Sequence, residues 1–248
     1  MILLFTDFGL AGPYTGQVKA VLAREAPQVP VIDLFADAPA FDPQLSAYLL
    51  AAYLLAAYAT EFPAGSLFFC VVDPGVGTDR RPLVVEADGR LFIGPDNGLF
   101  EMVRRRAGTV RAWVIDWRPP RLSASFHGRD LFAPVTAWLA LGKRVPRTAL
   151  DPAVIARPDW PDELARIVYV DCYGNAMTGL RAASLPADAV LTVDGRAVRR
   201  ARTFADAPPG AALWYENANG LAEIAVNRAR ADRALGLAVG HPVIVGKA

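Results

Sequence analysis

Cysteine and histidine are scarce in this chain of 248 residues, with two of each. Cys70 and Cys172 lie far apart and belong to no CxxC or CxxH spacing, which argues against a zinc site. Both read as small buried hydrophobes in strands. Charge of one sign is lacking too. The formal net charge is +1, so nothing calls for a nucleic-acid partner. The basic clusters Arg104–Arg106 and Arg199, Arg200 and Arg202 read as solvated faces, because no aromatic side chains are interleaved with them. Long hydrophobic runs are missing as well. The longest uncharged run, Pro43–Thr60, is rich in Ala and short for a membrane span, and reads as a buried helix. The N-terminal "MILLFTDFG" reaches an acid within seven residues, with neither a basic n-region nor a cleavage site. A cytoplasmic location without a membrane partner is therefore expected. There is no G-x-G-x-x-G, and the Gly-bearing "FGLAGPYTG" after Asp7 lacks the Lys-Ser/Thr of a phosphate loop.

What remains is a chain able to bury a core, since 53% of its residues are hydrophobic. "MILLF", "VPVIDLF", "SLFFCVVD" and "RAWVID" read as strands, and Arg81–Gly98 as a hairpin followed by a turn. Tyr14–Glu25, Pro43–Thr60 and Asp130–Gly142 read as helices, the last with Asp130 as its cap. Strands alternating with helices predict an α/β N-terminal domain with a largely parallel sheet over residues 1–157. "ARPDWPDEL" carries two prolines among its acids, and residues 158–164 are the linker candidate. From residue 165 to 248 come short strands with turn signals, including "IVYVDCYGN", "AVLTVDG", "LAEIAVN" and "HPVIVG". These predict a smaller β-rich barrel or sandwich.

Ligands of open α/β sheets bind outside the carboxyl ends of the strands. The acids that close apolar runs are Asp7, Asp33 or Asp37, Asp73 and Asp116. A carboxylate at Asp7 suits a neutral diol, because its two oxygens accept from two hydroxyls; it equally suits a cap on the next turn. Asp73 opens "DPGVGTDRR", which is a turn signature in itself, yet its two glycines allow close backbone approach. Arg80 and Arg81 follow with positive charge. His127, in "FHGRD", lies after "RLSASF", which ends like a strand; it reads either as a satisfied core histidine or as part of a site with Asp73. "PDNG" is a good turn by itself.

Taken in order, "TDFG", "VVDPGVGTDRR", "GPDNGLF", "FHGRD", "VDCYGN" and "NANGLAEIAVN" span nearly the whole chain. The set resembles the S-adenosyl-L-methionine (SAM) hydroxide adenosyltransferases, adenosine-forming SAM hydrolases related to the fluorinases and chlorinases. The resemblance implies a homotrimer in which SAM lies between the N-terminal domain of one subunit and the C-terminal domain of its neighbour. It implies an Asp-Arg-His set that activates water, carried here by Asp73, Arg80 and His127. The halogenating relatives have other residues at these places, so Asp73, His127 and Gly128 point to hydroxide as the nucleophile. Asp7 would hold the ribose diol, Phe41 would pack near the ribose, and Phe126 would lie beside the reacting region. Asp171 and Asn175 would hold the methionine ammonium, and Phe204 would stack on adenine. Asn217 and Asn227 would flank the adenine and carboxylate regions. Where relatives often carry Ser and sometimes Arg, this chain has Ala218 and Asn219. No charged side-chain clamp for the methionine carboxylate is then implied there, and backbone amides are the candidates. No cofactor and no metal are implied. Two other classes stay open on the residues alone: a metal-dependent hydrolase using Asp7, Asp73, Asp96 and His127, and a nucleoside-binding module without turnover.

Overall fold

The computed structural model describes residues 1–55, 62 and 64–247. Its internal contacts divide the chain into two units, one holding Met1–Leu50 and the chain from residue 60 to Pro158, the other chiefly Asp159–Ala248.

The first unit is built on a seven-stranded sheet. In chain order the strands are β1 (Ile2–Thr6), β2 (Val31–Phe35), β3 (Leu67–Val71), β4 (Pro82–Ala87), β5 (Arg90–Pro95), β6 (Val110–Ile115) and β7 (Arg147–Leu150). Their spatial order is β2-β1-β3-β5-β4-β6-β7. β2, β1, β3 and β5 run parallel, whereas β4, β6 and β7 add antiparallel pairs. The sheet is therefore mixed, where sequence alternation suggested a largely parallel one. A tight Asp88-Gly89 turn returns β5 against β4, so no crossover is needed at that step. The apolar runs explain the middle of the sheet. "ILLFT" and "LFFCV" are buried at every position, as expected of strands covered on both faces. Helix α1 (Tyr14–Glu25) buries Val18, Val21 and Leu22 in the core shared with Leu4, Phe69, Ile93 and Val135. The last of these lies on α4 (Ala133–Ala140). Helix α2 (Pro43–Leu55) buries Leu45 and Ala47–Ala51, and the remainder of the long helix expected to Thr60 lies outside the described residues. A short α3 (Glu101–Arg106) follows β5.

The second unit is another seven-stranded mixed sheet. Its strands are β8 (Leu164–Val170), β9 (Ala176–Arg181), β10 (Ala189–Val193), β11 (Arg196–Arg200), β12 (Ala212–Glu216), β13 (Leu221–Val226) and β14 (Ile244–Lys247). The order is β14-β10-β11-β12-β13-β9-β8, antiparallel except for β11 beside β12. The segment before β14 also bonds to β8, through Ile167 N to His241 O and Val243 N to Ala165 O. One terminal stretch thus covers the β8 edge and then supplies the opposite edge strand. Trp214 is fully buried, its indole N–H donating to Ala189 O at 3.0 Å. Helix α5 (Ala231–Leu235) packs on β13. Cys70 is buried in β3 as expected, but Cys172 is exposed, because it falls in the turn after β8 and not in the strand. Among the described residues no helix is long and apolar enough to cross a membrane.

Candidate active site

The parallel half of the first sheet gathers acids at one end. Thr6 of β1 is in register with Val71 of β3, so Asp7 and Asp73 leave neighbouring strands in the same direction. Asp7 Oδ2 accepts from the backbone N–H of Phe41 at 3.3 Å. Phe41 has a φ of 62°, a left-handed conformation that costs a non-glycine residue energy, and it is 79% exposed. An aromatic ring is thereby held over the site with little protein around it. Burial pushes the Asp7 carboxyl above its ordinary value; the Phe41 N–H opposes this, and the charge of Asp73 adds to it.

The loop from Asp73 to Arg80 is a compact turn. Val76 N donates to Asp73 O at 3.2 Å, and the Thr78 hydroxyl donates to Gly75 O at 2.7 Å. Gly77 has a φ of 83°, and a Cβ there would stand 2.6 Å from Ala124 O. Only glycine lets this loop lie against the segment that leads into "FHGRD". Arg80 Nε reaches Asp73 Oδ1 at 3.0 Å and Oδ2 at 2.9 Å, and Nη2 also bonds the carboxylate. The same Nη2 stands 3.0 Å from His127 Nδ1. The two side chains of this ion pair are only 8% and 4% exposed, and the guanidinium sits 5.3 Å from the centre of the Phe132 ring. A guanidinium only donates, so Nδ1 must accept, and the proton of a neutral imidazole is then on Nε2. Burial, then the charge of Arg80, pushes the His127 pKa below its ordinary value, which keeps the ring neutral.

His127 does not start a regular α-helix. Gly128–Phe132 form a π-turn, which runs into α4 at Ala133. Asp130 does not cap a helix through its side chain; its Oδ2 accepts from Ser123 N at 2.9 Å, tying the preceding loop to the turn. The stretch before Phe126 is loop, not strand. Gly128 packs under Phe8, whose ring would meet a Cβ at 3.0 Å. Arg129 donates to Asp130 and to Gln17 Oε1 of α1, and lies 5.1 Å from the Phe126 ring centre.

These groups surround one cavity of about 770 Å³. Asp7, Phe41, Asp73, Phe126, His127 and Gly128 all line it, while Arg80 is tied to it through Asp73 and His127. Sequence reading overlooked Phe8 and Tyr14, which also line it. Their rings lie 5.7 Å and 5.4 Å from that of Phe126, both edge-on. The signal was an aromatic on either side of the Gly-bearing loop after Asp7.

The second unit has its own cleft of about 630 Å³, lined in part by Asp171, Asn175 and Phe204. Asp171 is committed to its own turn. Oδ1 accepts from the N–H groups of Tyr173 and Asn175, and Oδ2 from Asn175 Nδ2 at 3.1 Å. Asn217 is buried rather than lining the cleft; its Oδ1 accepts from Asn219 N and Leu221 N, and its Nδ2 donates to Glu223. Asn227 Nδ2 donates to Ala207 O, bracing the turn that carries Phe204. Tyr215 was also overlooked. It lines the cleft, donates its hydroxyl to Glu223, and has its ring 5.2 Å from Phe204. Glu223 is 2% exposed, and burial pushes its carboxyl upward. The signal was an acid inside the buried run "LAEIAV", opposite Tyr215 in the β12–β13 register.

Among the described residues no three His, Cys, Asp or Glu side chains come together so as to hold a metal ion. Residues 2–149 match the SAM hydroxide adenosyltransferase N-terminal domain family, and residues 165–244 match the corresponding C-terminal domain family. The chain is 40% identical to an (R)-S-adenosyl-L-methionine hydrolase of Thermus thermophilus, covering 98% of both chains. It is also 40% identical to one of the same name from Salinispora arenicola, covering 97% of this chain and 95% of that one. Among solved structures it is similar to an uncharacterized conserved protein from Thermotoga maritima, at 27% identity, a TM-score of 0.82 and full coverage of both chains. A conserved hypothetical protein from Thermus thermophilus is similar at 36% identity and a TM-score of 0.76, with 99% of each chain covered.

Proposed function

This chain belongs to the SAM hydroxide adenosyltransferase family, and from that premise we propose that it hydrolyses S-adenosyl-L-methionine to adenosine and L-methionine. The observation that carries the chemistry is the continuous link from Asp73 through Arg80 to His127 beside a cavity that also holds Asp7. Water attacks C5′ of the adenosyl group from the side opposite the sulfonium. The C5′–O bond forms, the C5′–S bond breaks with its electron pair on sulfur, and one proton is released from the water. The leaving group is a neutral thioether, so no general acid is required.

The demand on the protein is a positioned nucleophile. Holding water in line supplies several kcal/mol, and a base adds about 10²–10⁴-fold. Arg80 cannot take a proton, and the Nδ1 lone pair of His127 already faces it. Asp73 is then the group that accepts the proton of the water. The neutral imidazole offers its Nε2–H to the water oxygen and fixes its orientation. Arg80 and the sulfonium together favour hydroxide over water in a cavity walled by Phe8, Tyr14 and Phe126. Asp7 takes the ribose hydroxyls, with Phe41 over the sugar. Asp171 and Asn175 take the methionine ammonium, Phe204 stacks on adenine, and Asn217 and Asn227 shape the second cleft from behind. The reaction needs no metal or other cofactor. The finer architecture that accompanies this reading is an α/β N-terminal domain and a β-rich barrel-like C-terminal one, joined near residues 158–164, in a cytoplasmic homotrimer with sites shared between subunits.

The relatives are named for the (R) compound, so the sulfonium epimers are the informative substrates. Incubation with each epimer in chelator, followed by chromatography and mass spectrometry, should yield adenosine and methionine in equal amounts, faster from the (R) form. S-adenosylhomocysteine as the product, or no turnover of either epimer, contradicts the proposal.

A further inference from the structure

The turn "PDNG" between β5 and α3 carries Asp96 and Asn97, and neither has a role in the chemistry above. β5 runs parallel to β3, so its end reaches the same edge of the sheet as Asp73. Asn97 Nδ2 donates to Val72 O at 2.8 Å, the carbonyl immediately before Asp73. Its Oδ1 accepts from Leu99 N at 3.2 Å, which fixes the side chain in place. Asp96 Oδ2 accepts from Arg81 Nε at 2.7 Å, one residue after Arg80, and Asp96 N donates to Arg81 O at 2.9 Å. The Asp96 carboxylate is 7% exposed and has Arg157 at 3.6 Å on its other oxygen. Two consecutive residues therefore grip the residues on either side of the Asp73–Arg80 loop.

We propose that Asp96 and Asn97 are positioning residues for the hydrolytic reaction, a clamp that sets the distance and angle between Asp73, Arg80 and His127. The proposal rests on the function argued above. A displacement of about 1 Å at a reacting constellation costs on the order of a hundredfold in rate. The loop's own backbone bonds close only short turns, and the Asp73–Arg80 ion pair ties its two ends to each other rather than to the neighbouring strand. Burial of a charged Asp96 with two arginines, and of an amide with both ends bonded, fits a role in geometry more than in contact with ligand.

Asn97→Asp keeps the shape and the acceptor but removes the donor to Val72 O. Asp96→Asn keeps the acceptor size but removes the charge that holds Arg81. Each should lower kcat for SAM by about tenfold to a hundredfold with KM nearly unchanged. Asp88→Asn serves as a control, because Asp88 likewise fixes a turn in this sheet, accepting from Gly108 N and Thr109 N, away from the cavity. It should lower the melting temperature and leave kcat alone. A second reading needs no turnover. Burial lowers the His127 midpoint most, Arg80 and Arg118 lower it further, and Asp73 and Asp130 raise it. Loss of the clamp should release Arg80 from Nδ1, so the imidazole midpoint followed by NMR should rise in both variants. Variants that melt earlier, as the control does, but keep wild-type kcat and an unchanged His127 midpoint would overturn the clamp. A wild-type protein that fails to hydrolyse SAM would instead count against the function, and the NMR comparison would still decide the clamp.

Discussion

The protonation state of His127 follows from what its neighbour can do. Arg80 presents N–H groups on every side and cannot accept, so its contact with Nδ1 selects the Nε2–H tautomer. Removing that ring should lower turnover by at least about a hundredfold, the scale of a lost acid–base group, and so should Asp73→Asn. Adenosine affinity, which the proposed function assigns to Asp7 and the aromatic walls, should change little in either variant; stopped-time assays and calorimetry together check both halves. The same geometry fixes a pH dependence. The pKa of the folded state lies below the ordinary imidazole value of 6.5. As pH falls through 6.5 the unfolded chain takes up a proton that the folded chain refuses, so His127 costs stability on the acid side and nothing at neutral pH. The acid limb of kcat/KM should accordingly have its midpoint below 6.5, where the ring charges and turns its Nδ1–H against Arg80. A midpoint above 6.5 contradicts the neutral, Arg80-bound imidazole.

At the scale of elements, the turn Asp171–Asn175 is where the observed structural role meets the proposed binding role. Both Asp171 oxygens already accept from the turn, yet the side chain also lines the second cleft. A charge-assisted bond to an ammonium is worth about 1.5–3 kcal/mol. Asp171→Asn should therefore weaken SAM by roughly tenfold to a hundredfold and leave adenosine almost untouched. Equal losses for both ligands, or a fall in melting temperature alone, would assign Asp171 to the turn only. The legibility of these elements in sequence varied for physical reasons. The uniform apolar runs of β1 and β3 announced buried strands, and the acids after them, Asp7 and Asp73, fall together at the lining of one cavity, because strand-end placement is set by local pattern. The π-turn at Gly128–Phe132 was not legible: five-residue winding leaves no periodicity in so short a stretch, and Asp130 before an apolar run mimics a helix cap. The antiparallel half of the sheet was only partly visible, since pairing partners are decided by packing across the whole unit. The requirement for Gly77 depends on Ala124, far along the chain, and no local rule could supply it.

On the scale of the molecule, the residues read as ligand-binding divide between two compact units, each with its own cavity. A homotrimer with shared sites predicts that light scattering at working concentrations gives three chains per particle, and that dilution to monomers abolishes turnover. An active monomer would contradict that assembly. The central claim concerns the nucleophile, and it has a direct test. In ¹⁸O-labelled water with chelator present, the native enzyme acting on SAM should place the label on the 5′-oxygen of adenosine and none on methionine. Adenosine without label, or label found on the methionine, would contradict attack of water at C5′ and with it the role given to Asp73, Arg80 and His127.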